Sequence, residues 1–370
     1  MDKIDNCAKV EGIKTVSQKI SVIMPVYNCE AYLEKALQSV LAQSVEDLEI
    51  IAVEDCSTDH SRELLCRLAQ GEPRIRVLLN EHNMGVSATR NRALEVAEGD
   101  YITFCDSDDT VPQNAYAALL AAIGDKDVAM GGFEDLYYEK DTVARSEMQR
   151  IDPRAKESAF FALYSVWTVC SKLFKASFLR EKQMRFREDM RVGEDAIFLA
   201  QLASHAPTYA MIEQSVYQYH HYQSENYRSL THVYDLDIFR QHVECRYEIM
   251  RICRDVPECR DYVYQTSTGY IERRMHLLPY GEARQRGFDI FREYVKGYDF
   301  ENRPLFFKAI TGVEYETFLQ VDADRYFELQ DEMEPRERVA AQFDCGMIGL
   351  RWIVRYFKGW LKFKIQRNSK

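Results

Sequence analysis

The sequence contains no run of about 18 uncharged apolar residues, so no segment reads as a spanning helix. It also has no C-x-x-C pair. Its ten cysteines fall at irregular spacings, which fits reduced thiols in a cytosolic protein. No Gly-x-Gly-x-x-Gly follows the first apolar run; Pro25-Val26-Tyr27-Asn28 stands there instead, which argues against a dinucleotide-binding dehydrogenase. The absence of G-x-x-x-x-G-K-[ST] argues against a P-loop NTPase, and neither H-E-x-x-H nor G-x-S-x-G occurs. There is no internal repeat and no low-complexity segment. Positive charge is in deficit, with 48 Lys and Arg against 59 Asp and Glu. The resulting net charge of −11 speaks against electrostatic binding of nucleic acid. Residues 1–11 are charged and polar without an apolar core, so a secretory leader is not expected there and a cytoplasmic location is.

What is present is an alternation of strand and helix signals. The 370 residues suggest about two domains at ~150 residues each. Ile20 to Met24 reads as a buried strand stopped by Pro25, followed by Asn28 as the cap of a helix carrying Leu33, Ala36, Leu37, Val40 and Leu41. Leu48 to Val53 is a second strand, and Asp59 caps the helix of Leu64, Leu65 and Leu68. Ile75 to Leu79 is a third strand, and a helix opened by Ser87 is closed by Gly99. Tyr101 to Cys105 is a fourth, Pro112 starts the next helix, and Val128 to Met130 is a fifth strand. Repeated β-α-β units imply an α/β fold, a mainly parallel sheet with helices on both faces, whose strand ends bring their loops to one rim. After Asp135 the pattern loosens into a hairpin or mobile loop through Arg150, a helix at Ala196 to Ala203, short strands at Tyr209 to Tyr219, and helices beyond Leu230.

The chemistry concentrates in Asp106-Ser107-Asp108-Asp109, directly after the fourth strand. In an extended segment Asp106 and Asp108 point to the same side, at the strand end where open α/β sheets bind ligands. Two carboxylates there suit Mg²⁺ or Mn²⁺ bridging phosphates. The same residues also read as an acidic turn in which Asp108 or Asp109 caps the helix begun at Pro112.

Five segments occur in order: Ile20 to Asn28 (ISVIMPVYN), Val53 to Asp59 (VEDCSTD), Asn83 to Asn91 (NMGVSATRN), Gly99 to Asp109 (GDYITFCDSDD) and Gly193-Glu194-Asp195. Together they resemble the family 2 glycosyltransferases of the GT-A fold, over about Ile20 to Tyr222. The resemblance implies a nucleotide-diphospho-sugar transferase fold across residues 19–230, after an N-terminal extension (1–18) and before a helical C-terminal region (231–345). It implies an inverting, metal-dependent transfer of a sugar from a nucleotide-sugar, UDP in the usual case, to a glycan or lipid-linked acceptor in cell-surface polysaccharide assembly. By the same resemblance, Pro25 and Tyr27 wall the base. Asp55, with Glu54 beside it, reads the uracil edge and ribose. Arg90 pairs with phosphate or the base carbonyl, or else is a surface arginine of an amphipathic helix. Asp106 meets ribose or a metal water, Asp108 ligates Mn²⁺ or Mg²⁺, Asp195 is the catalytic base, and Glu194 touches the donor sugar. Lys172 matches a lysine common in the family, and His220 or His221 is a candidate further metal ligand. The chain departs from the common Asp-Asp-Gly-Ser by reading Glu54-Asp55-Cys56-Ser57, and Cys in the glycine place implies a turn without positive φ.

Two rivals stand beside this reading. A nucleotidyltransferase would need a Gly-rich basic first loop, which is missing. A non-catalytic nucleotide-sugar-binding module would be expected to have lost Asp108 or Asp195, and both are there. Residues 346–370 form a basic amphipathic tail. Arg351, Arg355, Lys358 and Lys362 lie on one stripe and Leu350, Ile353, Val354, Phe357 and Leu361 on another, a pattern for peripheral contact with the inner face of the plasma membrane or for packing on protein. The helices after Leu230 are expected to build part of the acceptor site or a homo-oligomer contact.

Overall fold

The structure is a computed structural model. It describes residues 18–332 apart from 140–141, 150, 152–157, 223–234, 255–256, 276, 299, 302–306, 309–310 and 312. Residues 1–17 of the N-terminal extension and the basic tail lie outside the described residues.

Strands β1 (Ile20–Val26), β2 (Leu48–Glu54), β3 (Ile75–Leu79) and β4 (Tyr101–Phe104) pair in parallel in the order β3-β2-β1-β4. Helices α1 (Leu33–Leu41), α2 (Ser61–Gln70) and α3 (Gly85–Val96) connect them. β1 and β2 are buried almost without interruption, which is why they read as continuous apolar runs rather than as alternations. Beyond β4 come β7 (Lys172–Lys175), β5 (Val128–Glu139) and β6 (Thr142–Gln149), antiparallel at each junction, while β8 (Tyr209–His221) pairs with β5 in parallel. Helices α4 (Ala115–Ile123), α5 (Ala159–Ser165), α6 (Ala176–Glu181) and α7 (Glu194–Ser204) complete the sheet region. Then follow α8 (Leu236–Cys253), α9 (Pro257–Met275), α10 (Glu282–Lys296), α11 (Tyr315–Gln320) and α12 (Ala323–Glu332). Buried apolar residues run unbroken from the sheet into these helices, with Phe104, Phe174 and Phe198 at one end and Phe288, Phe291 and Phe318 at the other. Among the described residues no helix is long and apolar enough to cross a membrane.

Several boundaries differ from those expected. β1 continues through Pro25. The ladder to β4 ends at Ile23 opposite Phe104, so the N–H that proline lacks breaks no rung of that pair. Asn28 does not cap α1; it has φ 47° and its Oδ1 accepts the Thr58 N–H at 2.7 Å. α4 begins at Ala115 rather than Pro112, after Asn114 at φ 64°. Gly99 does not close α3, which ends at Val96. It lies against β1, where an added Cβ would sit 2.7 Å from the Ser21 nitrogen. β8 is one strand of 13 residues instead of several short ones, because β5 runs on to Glu139 and supplies a partner.

Candidate active site

Loops after β1, β2 and β4 and the start of α7 gather the expected residues. Tyr27 is exposed beside the partly buried Pro25. Asp55 is 3% exposed and accepts from three protein donors. Its Oδ1 accepts from Asn80 Nδ2 at 2.7 Å and the Met84 N–H at 2.8 Å, and its Oδ2 from the Gly85 N–H at 2.9 Å. A carboxylate at that place satisfies free N–H groups at the start of α3 and favours its dipole. Glu54 is fully buried; its Oε1 accepts the Ser57 N–H at 2.5 Å, and its Oε2 has no partner. Cys56 corrects the expectation drawn from its replacing glycine. Its φ is 58°, so the turn does use the left-handed region, and the Sγ donates to the Asn80 carbonyl at 3.2 Å.

Asp106 to Asp109 form a turn rather than an extended segment, because the Asp109 N–H folds back onto the Asp106 carbonyl at 3.2 Å. Exposure still alternates, with Asp106 and Asp108 at the rim and Ser107 and Asp109 buried. Neither Asp108 nor Asp109 caps α4. Asp109 anchors the turn to β8: its Oδ2 accepts from the Tyr217 hydroxyl at 2.6 Å and its Oδ1 from the His220 N–H at 2.8 Å. Burial, reinforced by Asp108 and Asp106, raises its carboxyl well above the ordinary range. The Tyr217 oxygen also accepts the Asp106 N–H at 3.2 Å.

Arg90 is no surface arginine. Its side chain is 3% exposed, and it bridges Asp106 Oδ1 at 2.8 Å, Glu194 Oε1 at 3.0 Å and Asp195 Oδ1 at 2.8 Å. One guanidinium therefore joins the carboxylate after β4 to the two that open α7, positions 105 residues apart in the case of Arg90 and Asp195. Both terminal nitrogens donate to carboxylates, two bonds from Nη1 and one from Nη2. Burial raises both Glu194 and Asp195. The neighbouring Asp195 adds to it for Glu194 and Asp106 adds to it for Asp195, while Arg90 opposes in both. A carboxylate so raised is a stronger proton acceptor than a solvated one.

The turn before α7 is held from behind. Gly193 has φ 81°, and a Cβ there would lie 2.5 Å from Cys245 Sγ on α8. That sulfur donates to the Gly193 carbonyl at 3.4 Å. On its other side Asp195 Oδ2 accepts the Val169 N–H at 3.2 Å. Lys172 is fully buried, and its Nζ donates to the Val166 carbonyl at 2.5 Å and the Thr168 carbonyl at 2.6 Å. Burial pushes its ammonium down to about 7, against the pull of Asp195.

The histidine rings do not join the acidic cluster. His220 meets Thr110 Oγ1 at 2.7 Å through Nε2 and the Tyr138 hydroxyl at 2.8 Å through Nδ1, so both ring nitrogens are occupied. Burial pushes it down to about 4. His221 Nε2 pairs with Asp135 at 2.8 Å. Among the described residues no three His, Cys, Asp or Glu side chains converge as a closed metal cage. Asp108 at the rim and the second oxygen of Asp106, which Cys170 Sγ approaches at 3.8 Å, are the carboxylates that would hold a hard divalent ion. The charge balance agrees, since one guanidinium faces three carboxyl groups.

The sequence model described as Glycosyl transferase family 2 matches residues 21–181. Those residues form a family 2 glycosyltransferase domain. The chain is 34% identical over 223 residues to Glycosyltransferase GlyA of Streptococcus pneumoniae, covering 55% of this chain and 31% of that one. It is 32% identical over 216 residues to the Minor teichoic acid biosynthesis protein GgaB of Bacillus subtilis, covering 56% of this chain and 23% of that one. The chain thus spans less than a third of the length of either relative. In fold it is similar to S. aureus TarS 1–349 in complex with UDP-GlcNAc, with a TM-score of 0.62 at 19% identity over 85% of this chain and 90% of that one. The GT-A architecture expected from the motifs is therefore the one observed.

Sequence reasoning passed over two residues that organise this site. Tyr217 was visible only as part of a Tyr-Gln-Tyr triplet, and Val169 acts through its backbone. The buried Lys172 in a segment of apolar neighbours was the one signal pointing to that backbone.

Proposed function

We propose that this glycosyltransferase moves a sugar from a UDP-sugar to a hydroxyl of a glycan or lipid-linked glycan, with inversion, in assembly of a cell-surface polysaccharide. The observation that carries the reading is the Arg90 bridge, which draws the rim carboxylate Asp106 and the raised carboxylate Asp195 onto one guanidinium. Transfer with inversion needs a leaving diphosphate on one side of the sugar and a base for the incoming hydroxyl on the other. Asp195 takes that proton. Its Oδ2 is aimed by the Val169 N–H, and Arg90 stabilises the carboxylate before the transfer. Asp108 and Asp106 would hold Mn²⁺ or Mg²⁺, which when bound neutralises charge on the leaving diphosphate. Pro25 and Tyr27 wall the nucleotide base. Asp55 and Glu54 set the loop beneath it, and Asp55, with three protein donors on its carboxylate, acts by shaping that loop as well as by contact. Glu194, beside Asp195 on the same arginine, faces the donor sugar. UDP as the donor nucleotide is supported by the UDP-GlcNAc complex of TarS, and a polysaccharide product by the naming of GgaB. The basic tail at residues 346–370 would hold the enzyme against an anionic membrane surface where a lipid-linked acceptor is presented.

The test is diphosphate release from a panel of UDP-, GDP- and dTDP-sugars with Mn²⁺ or with chelator. Release confined to UDP-sugars and lost with chelator supports the proposal. Metal-independent turnover contradicts the role given to Asp106 and Asp108.

A further inference from the structure

Residues 166–174 are buried with one exception: Trp167, 52% exposed. A segment that buries everything except its largest apolar side chain has left that ring in solvent at a cost in unburied area. The backbone on either side of the ring is clamped, since the fully buried Lys172 holds the carbonyls of Val166 and Thr168, the residues flanking Trp167. A ring presented on a fixed backbone loses little freedom when a ligand covers it.

Two separate routes place this ring at the reacting groups. Two residues along the chain, the Val169 N–H donates to Asp195 Oδ2 at 3.2 Å. Across the sheet, the Trp167 ring meets Phe133 edge to face with centroids 6.2 Å apart. Phe133 lies opposite Tyr217 in the β5–β8 register, and the Tyr217 hydroxyl bonds Asp109 and the Asp106 N–H. Trp167 thus stands where the β5–β8 pair, to which Tyr217 anchors the donor-side turn, meets the loop that aims the base.

We propose that Trp167 is the acceptor platform, its exposed face stacking on a pyranose ring whose hydroxyl is presented to Asp195. The inference rests on the transfer proposed above and narrows the acceptor to a ring sugar. A pyranose offers a face of C–H groups that an aromatic ring covers well, and the indole N–H adds a donor for a ring hydroxyl. Placement beside the base assigns the platform to the acceptor rather than to the nucleotide.

UDP release is measured with p-nitrophenyl pyranosides as acceptors and with glycerol as an acyclic hydroxyl donor. Trp167→Ala should raise the pyranoside KM about ten-fold while leaving the donor KM and the glycerol rate unchanged. Trp167→Phe should restore most of the loss. An unchanged pyranoside KM, or a loss carried by the donor KM, overturns the proposal. Calorimetric binding of the same pyranosides without donor separates it from the parent reading. Binding lost in Trp167→Ala, with no UDP released by wild type, would leave the platform and remove the transfer. UDP released equally by both proteins, with equal pyranoside binding, would remove the platform and leave the transfer.

Discussion

Replacing Arg90 by methionine removes, among the described residues, the cation in contact with Asp106, Glu194 and Asp195. The arginine is 3% exposed, and Glu194 and Asp195 are each 14% exposed, so solvent screens these pairs little. Removing one partner of a buried ion pair costs about 3–5 kcal/mol while the remaining charge stays ionised. Here the carboxyls can instead take up protons, so the cost depends on pH. Burial already raises Glu194 and Asp195, and loss of Arg90 removes the influence that opposes this rise. A carboxyl raised on folding holds its proton in the native state at pH values where the unfolded chain has lost it. Its contribution is present below the ordinary carboxylate range and is lost as pH rises through the folded value. Arg90→Met should therefore be only mildly destabilised at pH 5 and lose the full ~3–5 kcal/mol by pH 8. Arg90→Lys should fall between, because a single ammonium cannot fork to three carboxylates. Urea denaturation of the three proteins at both pH values measures this. A penalty below about 1 kcal/mol at pH 8, the scale of a surface pair, would refute the reasoning, as would a pH-independent one. The activity of Arg90→Met should shift its acid limb to higher pH, since Asp195 must be ionised to accept a proton.

Two further outcomes follow from backbone geometry. Cys56→Gly should stabilise the protein by about 1 kcal/mol in the same denaturation assay, because glycine enters the left-handed region without the Cβ penalty that Cys56 bears at φ 58°. Gly193→Ala should lower kcat by at least about ten-fold, read by UDP release, since strain at φ 81° and a Cβ 2.5 Å from Cys245 Sγ displace the turn that carries Asp195; Cys245→Ala in the same chain should restore part of the rate.

How far the sequence could be read differs between the two halves of the site. β1 to β4 were legible because parallel strands covered on both faces leave continuous apolar runs, and because the residues after each one are polar and distinctive. Asp106 and Asp108 could be singled out on that basis, and Glu194 and Asp195 through the resemblance carried by Gly193-Glu194-Asp195. The sequence could not tell that Arg90 ties three of them together, since residues 90, 106, 194 and 195 meet only in the tertiary fold. Nor was the β5–β8 pairing legible. β8 mixes exposed and buried residues over its length, and its register shifts near Gly132, so no simple period marks it. Tyr217 owes its place beside Asp106 to that pairing. Cys56 shows local preference overridden: the residue type argued against positive φ, while the hydrogen-bonded loop from Glu54 to Ser57 imposes it.

The central claim is that Asp195 removes the proton from the acceptor hydroxyl. Asp195→Asn keeps the shape of the side chain and an oxygen to accept from Val169, and it deletes the base. Measured by UDP release with donor and acceptor saturating, the account predicts a kcat loss on the order of 10²–10⁴ with donor KM and thermal stability little changed. A variant that turns over at the wild-type rate would contradict it.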